Sequence, residues 1–325
     1  MSAPLLVVED LHVEFPDETG MVHALRGVSL TLDRGEVLGL VGETGCGKSV
    51  TGLSILGLVP QPGRIKSGRI LLDGQDLTAL DEGDLRKLRG RNIGMIFQDP
   101  VTSLNPVFTN GRQVLNVIER HLHLGRAAAR QRALELFVSV GLPDPEAILE
   151  GYPHQLSGGM QQRVMIAMAL AAGPELIIAD EPTTAVDVTI QAQILDLLLK
   201  LQRERGIAIL LITHNLGVVA ETCHRVAVLY AGRVVEESPV GEFFKEPRHP
   251  YSQGLLHSLP RLNQAADWLT PIPGNVPSGH EDLPGCAFAA RCEYATDRCW
   301  QNQPPMYAAG AARRVACFLA EEAGW

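Results

Sequence analysis

The sequence predicts an α/β fold built on a parallel sheet, and three observations carry that prediction. A short apolar stretch, Val37 to Val41, runs into a glycine-rich turn and then into a helix-compatible run that ends before Pro60. Two further apolar stretches, ELIIAD at 175–180 and IAILLIT at 207–213, end in residues suited to ligand chemistry, Asp180 with Glu181 and then His214. Between them Ile190, Ile194, Leu197, Leu198 and Leu201 recur at helical spacing up to Gly206, which reads as an amphipathic helix with a glycine stop. Strand, helix, strand in that order makes a βαβ unit, whose ligands gather at the carboxyl edge of the sheet.

The bulk numbers agree with a globular protein. A chain of 325 residues has room for a large core plus a smaller appendage, and 46% hydrophobic with 20% charged residues excludes a solvated disordered tail. The net charge of −9 argues against a nucleic-acid partner, which calls for clustered Lys and Arg, and gives no attraction to anionic lipid. The apolar runs fall far short of the roughly 20 residues a membrane span needs. The start, MSAPLLVVEDLHVEF, has neither the charged segment nor the long apolar segment of a signal peptide. The chain is therefore expected in the cytosol, with its six cysteines reduced or metal-bound.

The first element with a chemical signature is GEVLGLVGETGCGKS at 35–49, which matches GxxxxGK(S/T) through Gly42, Gly47, Lys48 and Ser49. Glycines let successive N–H groups curl around phosphate oxygens, the helix start adds a favourable field, Lys48 adds charge, and the Ser49 hydroxyl suits Mg²⁺. Glu43, Thr44, Gly45, Cys46 and Val50 complete the stretch expected to line a nucleotide, Cys46 reading as a small filler. Asp180, at a strand end, suits Mg²⁺. Glu181 is then placed to orient or deprotonate an attacking water. His214 falls at the same sheet edge, where a γ-phosphate would lie. Gln98, in MIFQDP, carries an amide that suits water or Mg²⁺. LSGGM at 156–160 holds no strong nucleophile, but its glycine pair precedes a helix-compatible run from Val164 to Leu170 whose positive end suits an anion.

Phosphate loop, Gln98, LSGGM, Asp180–Glu181 and His214, in that order, make the chain resemble the ATP-binding subunits of ABC transporters over essentially its whole length. The resemblance implies the family's fold: a P-loop ATPase with a RecA-like parallel-sheet core, an N-terminal antiparallel β subdomain and an inserted helical subdomain. It also implies that Ser157, Gly158 and Gly159 of one chain close over the ATP held by another, two nucleotides lying head to tail in a dimer. Asp187 takes the place of the family's D-loop acid, with Val186 before it where Leu is more common. Phe15 falls where the family stacks an aromatic on adenine, simple core packing being the alternative. FQDPVTSLNP at 97–106, EPTTAVDVTIQAQIL at 181–195 and HPYSQGLLHSLP at 249–260 are similar to the D-type ATPase of oligopeptide and dipeptide importers. Such an ATPase pairs with a sister F-type ATPase, two membrane permease subunits and, through them, an extracytoplasmic solute-binding protein. Its place would be the cytoplasmic face of the inner membrane, and nickel complexes or glutathione are alternative cargoes. A soluble ABC ATPase acting on nucleic acid or the ribosome is the reading from another class.

The remaining elements fit this frame. VHALRGVSLTL, with Val28, Leu30 and Leu32 alternating with polar residues, predicts antiparallel strands. Val114, Val117, Ile118 and Leu122, then Ala133, Leu134, Phe137 and Val138 before Gly141, predict inserted helices at about 99–173. We expect an ATPase domain at 1–248 and an extension at 249–325. PIPGNVPSGHEDLPG at 271–285 reads as a loop or linker. Beyond it Cys286, Cys292, Cys299 and Cys317 are separated by five, six and seventeen residues. That spacing fits neither common zinc modules nor ferredoxin runs, so the residues alone leave zinc, iron–sulfur and no metal open. The resemblance to peptide-importer ATPases implies a [4Fe–4S] cluster.

Overall fold

The computed structural model of the protein describes residues 3–184, 187–258, 272–310 and 312–323. These form two compact units: Met1–Leu32, Val37–Thr78 and Thr213–Trp325 make one, Asp33–Glu36 and Ala79–Ile212 the other.

The first unit contains an antiparallel sheet ordered Gly20–Leu32, Leu6–Asp17, Arg64–Leu72, Gln75–Asp76. The expected alternation holds, since Val28, Leu30 and Leu32 are buried. Asp17 closes the first hairpin by accepting from the N–H groups of Thr19 and Gly20, a side-chain turn that needs no further residues. A second set of strands begins with the parallel pair Val37–Val41 and Arg225–Tyr230, registered from Leu38 opposite Arg225 to Val41 opposite Val228. Arg233–Pro239 then returns antiparallel to Arg225–Tyr230. The two residues between them, Ala231 and Gly232, have φ of 45° and 78°, the primed turn that matches strand twist. Arg314–Val315 and Tyr307–Ala308 add two short antiparallel strands, so the parallel character expected of the core gives way at this side.

The second unit holds three parallel strands, Ile93–Ile96, Leu176–Asp180 and Ala208–Ile212, with Leu176–Asp180 in the centre. Every residue of the last two is buried, which explains their unbroken apolar runs. The crossover between them is the helix Val188–Arg205, started by Asp187, whose side chain accepts from Ile190 N–H at 2.9 Å, and ended by Gly206 in the left-handed region. Its stripe buries Ile194, Leu197, Leu198 and Leu201 as expected but leaves Ile190 half-buried, each buried side chain stabilising by up to about 1.5–3 kcal/mol.

Between Ile96 and Leu176 lie the helices Pro100–Ser103, Asn110–Leu122, Arg126–Ser139, Pro145–Glu150 and Gly158–Leu170. Thr109 and Asp144 cap two of them with their side chains. Val114, Ile118, Ala133 and Phe137 are fully buried, but Val138 is 64% exposed. The buried stripe of Arg126–Ser139 instead runs Ala129, Ala133, Leu136, Phe137 and on to Val140, an i, i+4, i+7, i+8, i+11 face that leaves Val138 on the far side. Among the described residues no helix is long and apolar enough to cross a membrane. Val186, Leu259, Pro260 and Pro271, which figure in the sequence motifs, lie outside the described residues.

Candidate functional site

In the first unit the buried strand Val37–Val41 delivers the chain into the loop Gly42–Gly47, and the helix Lys48–Ile55 follows at once. Gly42, Gly45 and Gly47 have φ of 151°, 81° and 107°. A Cβ on Gly42 would sit 2.1 Å from Leu229 O, and one on Gly47 2.8 Å from Ala24 O, so both sites demand glycine on two grounds. Gly47 caps the helix without any side-chain bond to its first turn, and a helix start of this kind is suited to an anion. Lys48 is 6% exposed. Its Nζ donates to Gly42 O at 2.8 Å and Glu43 O at 3.0 Å, with Cys46 Sγ at 3.8 Å. Thr44, Gly45 and Ser49 stand exposed at the rim, while Cys46 is buried and burial pushes its thiol up. The filler reading of Cys46 therefore agrees with its environment, and Val50 sits half-buried one residue beyond Ser49.

His214 is exposed and follows Thr213, whose N–H donates to Leu40 O at 3.2 Å. It is thus tied to the strand that feeds the loop. Asn215 next caps the helix Leu216–Thr222 by accepting from Gly217 and Val218. Phe15 is half-buried, its ring so close over Gly63 that a Cβ there would meet Cε1 at 2.3 Å.

In the second unit Asp180 ends its strand 7% exposed. Glu181 takes φ of 46°, held there by its N–H bond to Ile212 O at 2.8 Å. A glutamate in the left-handed region is strained, and such strain collects at functional sites. Its Oε2 accepts from Gln98 Nε2 at 2.9 Å and from Thr184 Oγ1 at 2.8 Å, so the structure joins Gln98 to Glu181 across 83 residues. Ser157 caps the helix Gly158–Leu170, its side chain accepting from Met160 N–H at 3.4 Å. Ser157 and Gly158 are exposed at that helix start. A Cβ on Gly159 would come 2.8 Å from Ile190 Cγ2. Gln162, which the sequence reading passed over, donates to Pro182 O at 2.7 Å and links this helix to the acid-bearing segment. Asp187, the expected D-loop acid, is the cap described above.

No disulfide joins the described cysteines. Cys286, Cys292, Cys299 and Cys317 line a single concavity together with His249 and Phe288, and Cys286 N–H donates to Cys299 O at 2.7 Å. Burial, reinforced by the neighbouring thiols, pushes Cys286 up to about 11 and Cys317 up to about 12. Burial also pushes His249 down to about 3, so its neutral Nδ1 accepts from Tyr251 N–H at 3.1 Å. Among the described residues no group of His, Cys, Asp or Glu is arranged to hold a metal ion. The four cysteines therefore share one concavity without forming an ion site, and the [4Fe–4S] cluster implied by the resemblance finds no formed site among the described residues.

Sequence reasoning missed Arg291 and Tyr251, both bonded to Glu43 of the loop. Only HPY at 249–251 gave a signal, as part of a tail motif.

Comparison with known proteins sets these features in a family. A family model described as ABC transporter matches residues 25–184, and one described as Oligopeptide/dipeptide transporter, C-terminal region, matches residues 235–299. The dipeptide transport ATP-binding protein DppD of Escherichia coli (strain K12) is 48% identical over 321 residues, covering 98% of each chain. The oligopeptide transport ATP-binding protein AppD of Bacillus subtilis (strain 168) is 50% identical over 321 residues, again 98% of each. Among solved structures, the dimer of MJ0796, a bacterial ABC transporter cassette, superposes with a TM-score of 0.65 at 32% identity, covering 72% of this chain and 98% of that one. The same cassette in a post-hydrolysis dimer bound to ADP and Pi gives 0.64 at 31% identity, with the same coverage. The chain belongs to the ABC transporter family, as an ATP-binding ATPase subunit that carries the C-terminal region of oligopeptide/dipeptide transporters.

Proposed function

We propose that the protein hydrolyses ATP to drive peptide uptake through a membrane permease, two nucleotides being held head to tail between two ATPase chains. The observation that carries this reading is end-to-end similarity to dipeptide and oligopeptide transport ATP-binding proteins, together with a strained Glu181 bonded to Gln98. The phosphate loop Gly42–Val50 binds the triphosphate, Lys48 supplies its charge, and Phe15 meets the adenine. Ser49 and Asp180, with Gln98, offer the oxygen donors that Mg²⁺ prefers; when bound, that ion neutralises developing charge on the β- and γ-phosphates. Glu181 orients and deprotonates the attacking water, and His214 contacts the γ-phosphate. Ser157, Gly158 and Gly159 seal the nucleotide of the partner chain, with Asp187 at the same interface. The dimeric state of the MJ0796 cassette supports this arrangement.

The partner is a sister F-type ATPase, and the pair serves two permease subunits and an extracytoplasmic solute-binding protein at the cytoplasmic face of the inner membrane. Exposed Phe97, Val101, Val107 and Phe108 beside Gln98 support docking of the permease on this segment. The ATPase domain ends at residue 248 and the extension begins at 249. Four thiols lining one concavity fit the soft-ligand preference of a [4Fe–4S] cluster, which would cross-link the extension.

The test is ATP hydrolysis by the transporter reconstituted with its permease and solute-binding protein. Dipeptides should stimulate hydrolysis, and Lys48→Ala should abolish the stimulated rate. Stimulation by nickel complexes or glutathione but not by peptides would overturn the cargo assignment. Stoichiometric zinc, or no iron and acid-labile sulfide after anaerobic purification, would overturn the cluster.

A further inference from the structure

The phosphate loop is gripped from behind by residues about 200 to 250 positions further along the chain. Glu43, the residue after Gly42, donates its N–H to Tyr251 Oη at 2.9 Å. Its carboxylate accepts a forked pair of bonds from Arg291, Nη1 to Oε2 at 2.8 Å and Nη2 to Oε1 at 3.1 Å. The Arg291 side chain is only 4% exposed, and it is fixed in turn. Its Nε donates to Pro273 O at 2.8 Å, Nη2 to Ile272 O at 3.3 Å and Nη1 to Tyr230 Oη at 3.3 Å. Tyr230, Tyr251 and Phe288 pack against one another in tilted and edge-on contacts with ring centroids 4.6–5.5 Å apart, and the guanidinium lies over Tyr230 and Phe288. On its other side Glu43 presents its carbonyl to Lys48 Nζ. One loop residue therefore commits its N–H and carboxylate to the C-terminal segment and its C=O to the phosphate-binding lysine.

We propose that Arg291 and Tyr251 are positioning residues for the phosphate loop, and that through them the C-terminal segment sets the affinity for nucleotide. The proposal rests on Gly42–Val50 being the nucleotide loop. Three glycines at positive φ make that loop costly to order. A planar guanidinium held at five bonds and a buried tyrosine hydroxyl meet that cost during folding instead of during binding, which is how preorganisation raises affinity. Glu43 N–H is taken by Tyr251, so it is withdrawn from phosphate contact and serves as an anchor. Arg291 directly precedes Cys292, so the cysteine-lined concavity and the loop share one short segment. Both Arg291 and Tyr251 lie within the region that matches the oligopeptide/dipeptide transporter C-terminal model. The extension is thereby built into the nucleotide site of the same chain.

The test is a double-mutant cycle on the full chain, Arg291→Gln, Glu43→Gln and both together, read by anisotropy of a fluorescent ATP analogue. Steady-state ATPase, melting without nucleotide, and the titre of accessible thiols are measured alongside. Each single change should weaken binding about tenfold or more, as expected for losing a charge-assisted forked bond, and the double should be no weaker than the worse single. KM should rise while kcat stays within about threefold. Tyr251→Phe should give a smaller loss of the same kind, and Arg291→Lys should recover part of the affinity. Additive losses, or normal affinity in Glu43→Gln with melting and thiol titre unchanged, would overturn the proposal. If Arg291→Gln does not fold, Glu43→Gln and Tyr251→Phe decide it alone. Lys48→Ala separates the two readings: lost binding there beside normal binding in the Glu43 and Tyr251 variants removes only the positioning role, and normal binding in Lys48→Ala removes the loop assignment itself.

Discussion

Replacing Glu181 by Gln isolates the chemical step from binding and folding. The amide keeps the shape of the side chain, so an oxygen can still accept from Gln98 Nε2 or Thr184 Oγ1, the two donors now bonded to Oε2. What changes is charge: two charge-assisted bonds become neutral ones, each weaker by about 1 kcal/mol. The strain of φ 46° at this residue, about 1–2 kcal/mol, is common to both forms and cancels. Folding should therefore survive with at most about 2 kcal/mol of loss. Catalysis should not, because an amide cannot take a proton from water, and losing a general base slows reactions by about 10²–10⁴. That range corresponds to about 2.7–5.4 kcal/mol in the barrier. The assay is phosphate release with saturating Mg-ATP, paired with a binding isotherm for a fluorescent nucleotide. The account predicts kcat lower by at least a hundredfold with affinity within about threefold. A kcat within tenfold of the native protein, or a rise in KM at unchanged kcat, would remove Glu181 from the base role.

Lys48→Ala removes the one buried cation of the proposed phosphate loop and should raise the nucleotide Kd by about 10- to 150-fold, the range of a lost charge-assisted bond; a change under threefold by calorimetry would contradict it. Gly47→Ala forces a Cβ to 2.6 Å from Leu25 Cδ2 and 2.8 Å from Ala24 O at φ 107°. It should lower stability in urea by about 1–3 kcal/mol and abolish nucleotide binding, and an unshifted urea midpoint would show that the loop relaxes freely. Gly159→Val places branched bulk against Ile190. It should leave nucleotide binding by a single chain intact while eliminating ATP-dependent pairing in light scattering, and retained pairing would place the interface elsewhere. Ile194→Ala, at a fully buried site, should cost about 2–5 kcal/mol by urea unfolding, and a smaller loss would mean that the crossover helix does not carry the core of its unit.

Much of this molecule could be read locally. Gly42, Gly47, Lys48 and Ser49 stand out because their pattern has a fixed spacing along the chain, and the structure carries them on one strand–loop–helix turn. The stripe Ile194, Leu197, Leu198, Leu201 and its stop at Gly206 are equally local. Val138 misled because it sits beside true core residues, and only the turn-by-turn register of Arg126–Ser139 puts it outside. The bond from Gln98 to Glu181 spans 83 residues and that from Arg291 to Glu43 spans 248; no periodicity records pairings of that kind. The turn at Ala231–Gly232 escaped because alanine rarely takes positive φ. The four cysteines showed their number but not their convergence, since spacings of five, six and seventeen residues say nothing about a shared concavity.

The measurement that bears most directly on the shared-nucleotide account is specific ATPase activity across serial dilution, with particle mass recorded in the same samples. Activity per chain should fall with dilution in step with the loss of particles holding two ATPase chains. Constant activity per chain in particles that hold a single ATPase chain would contradict it.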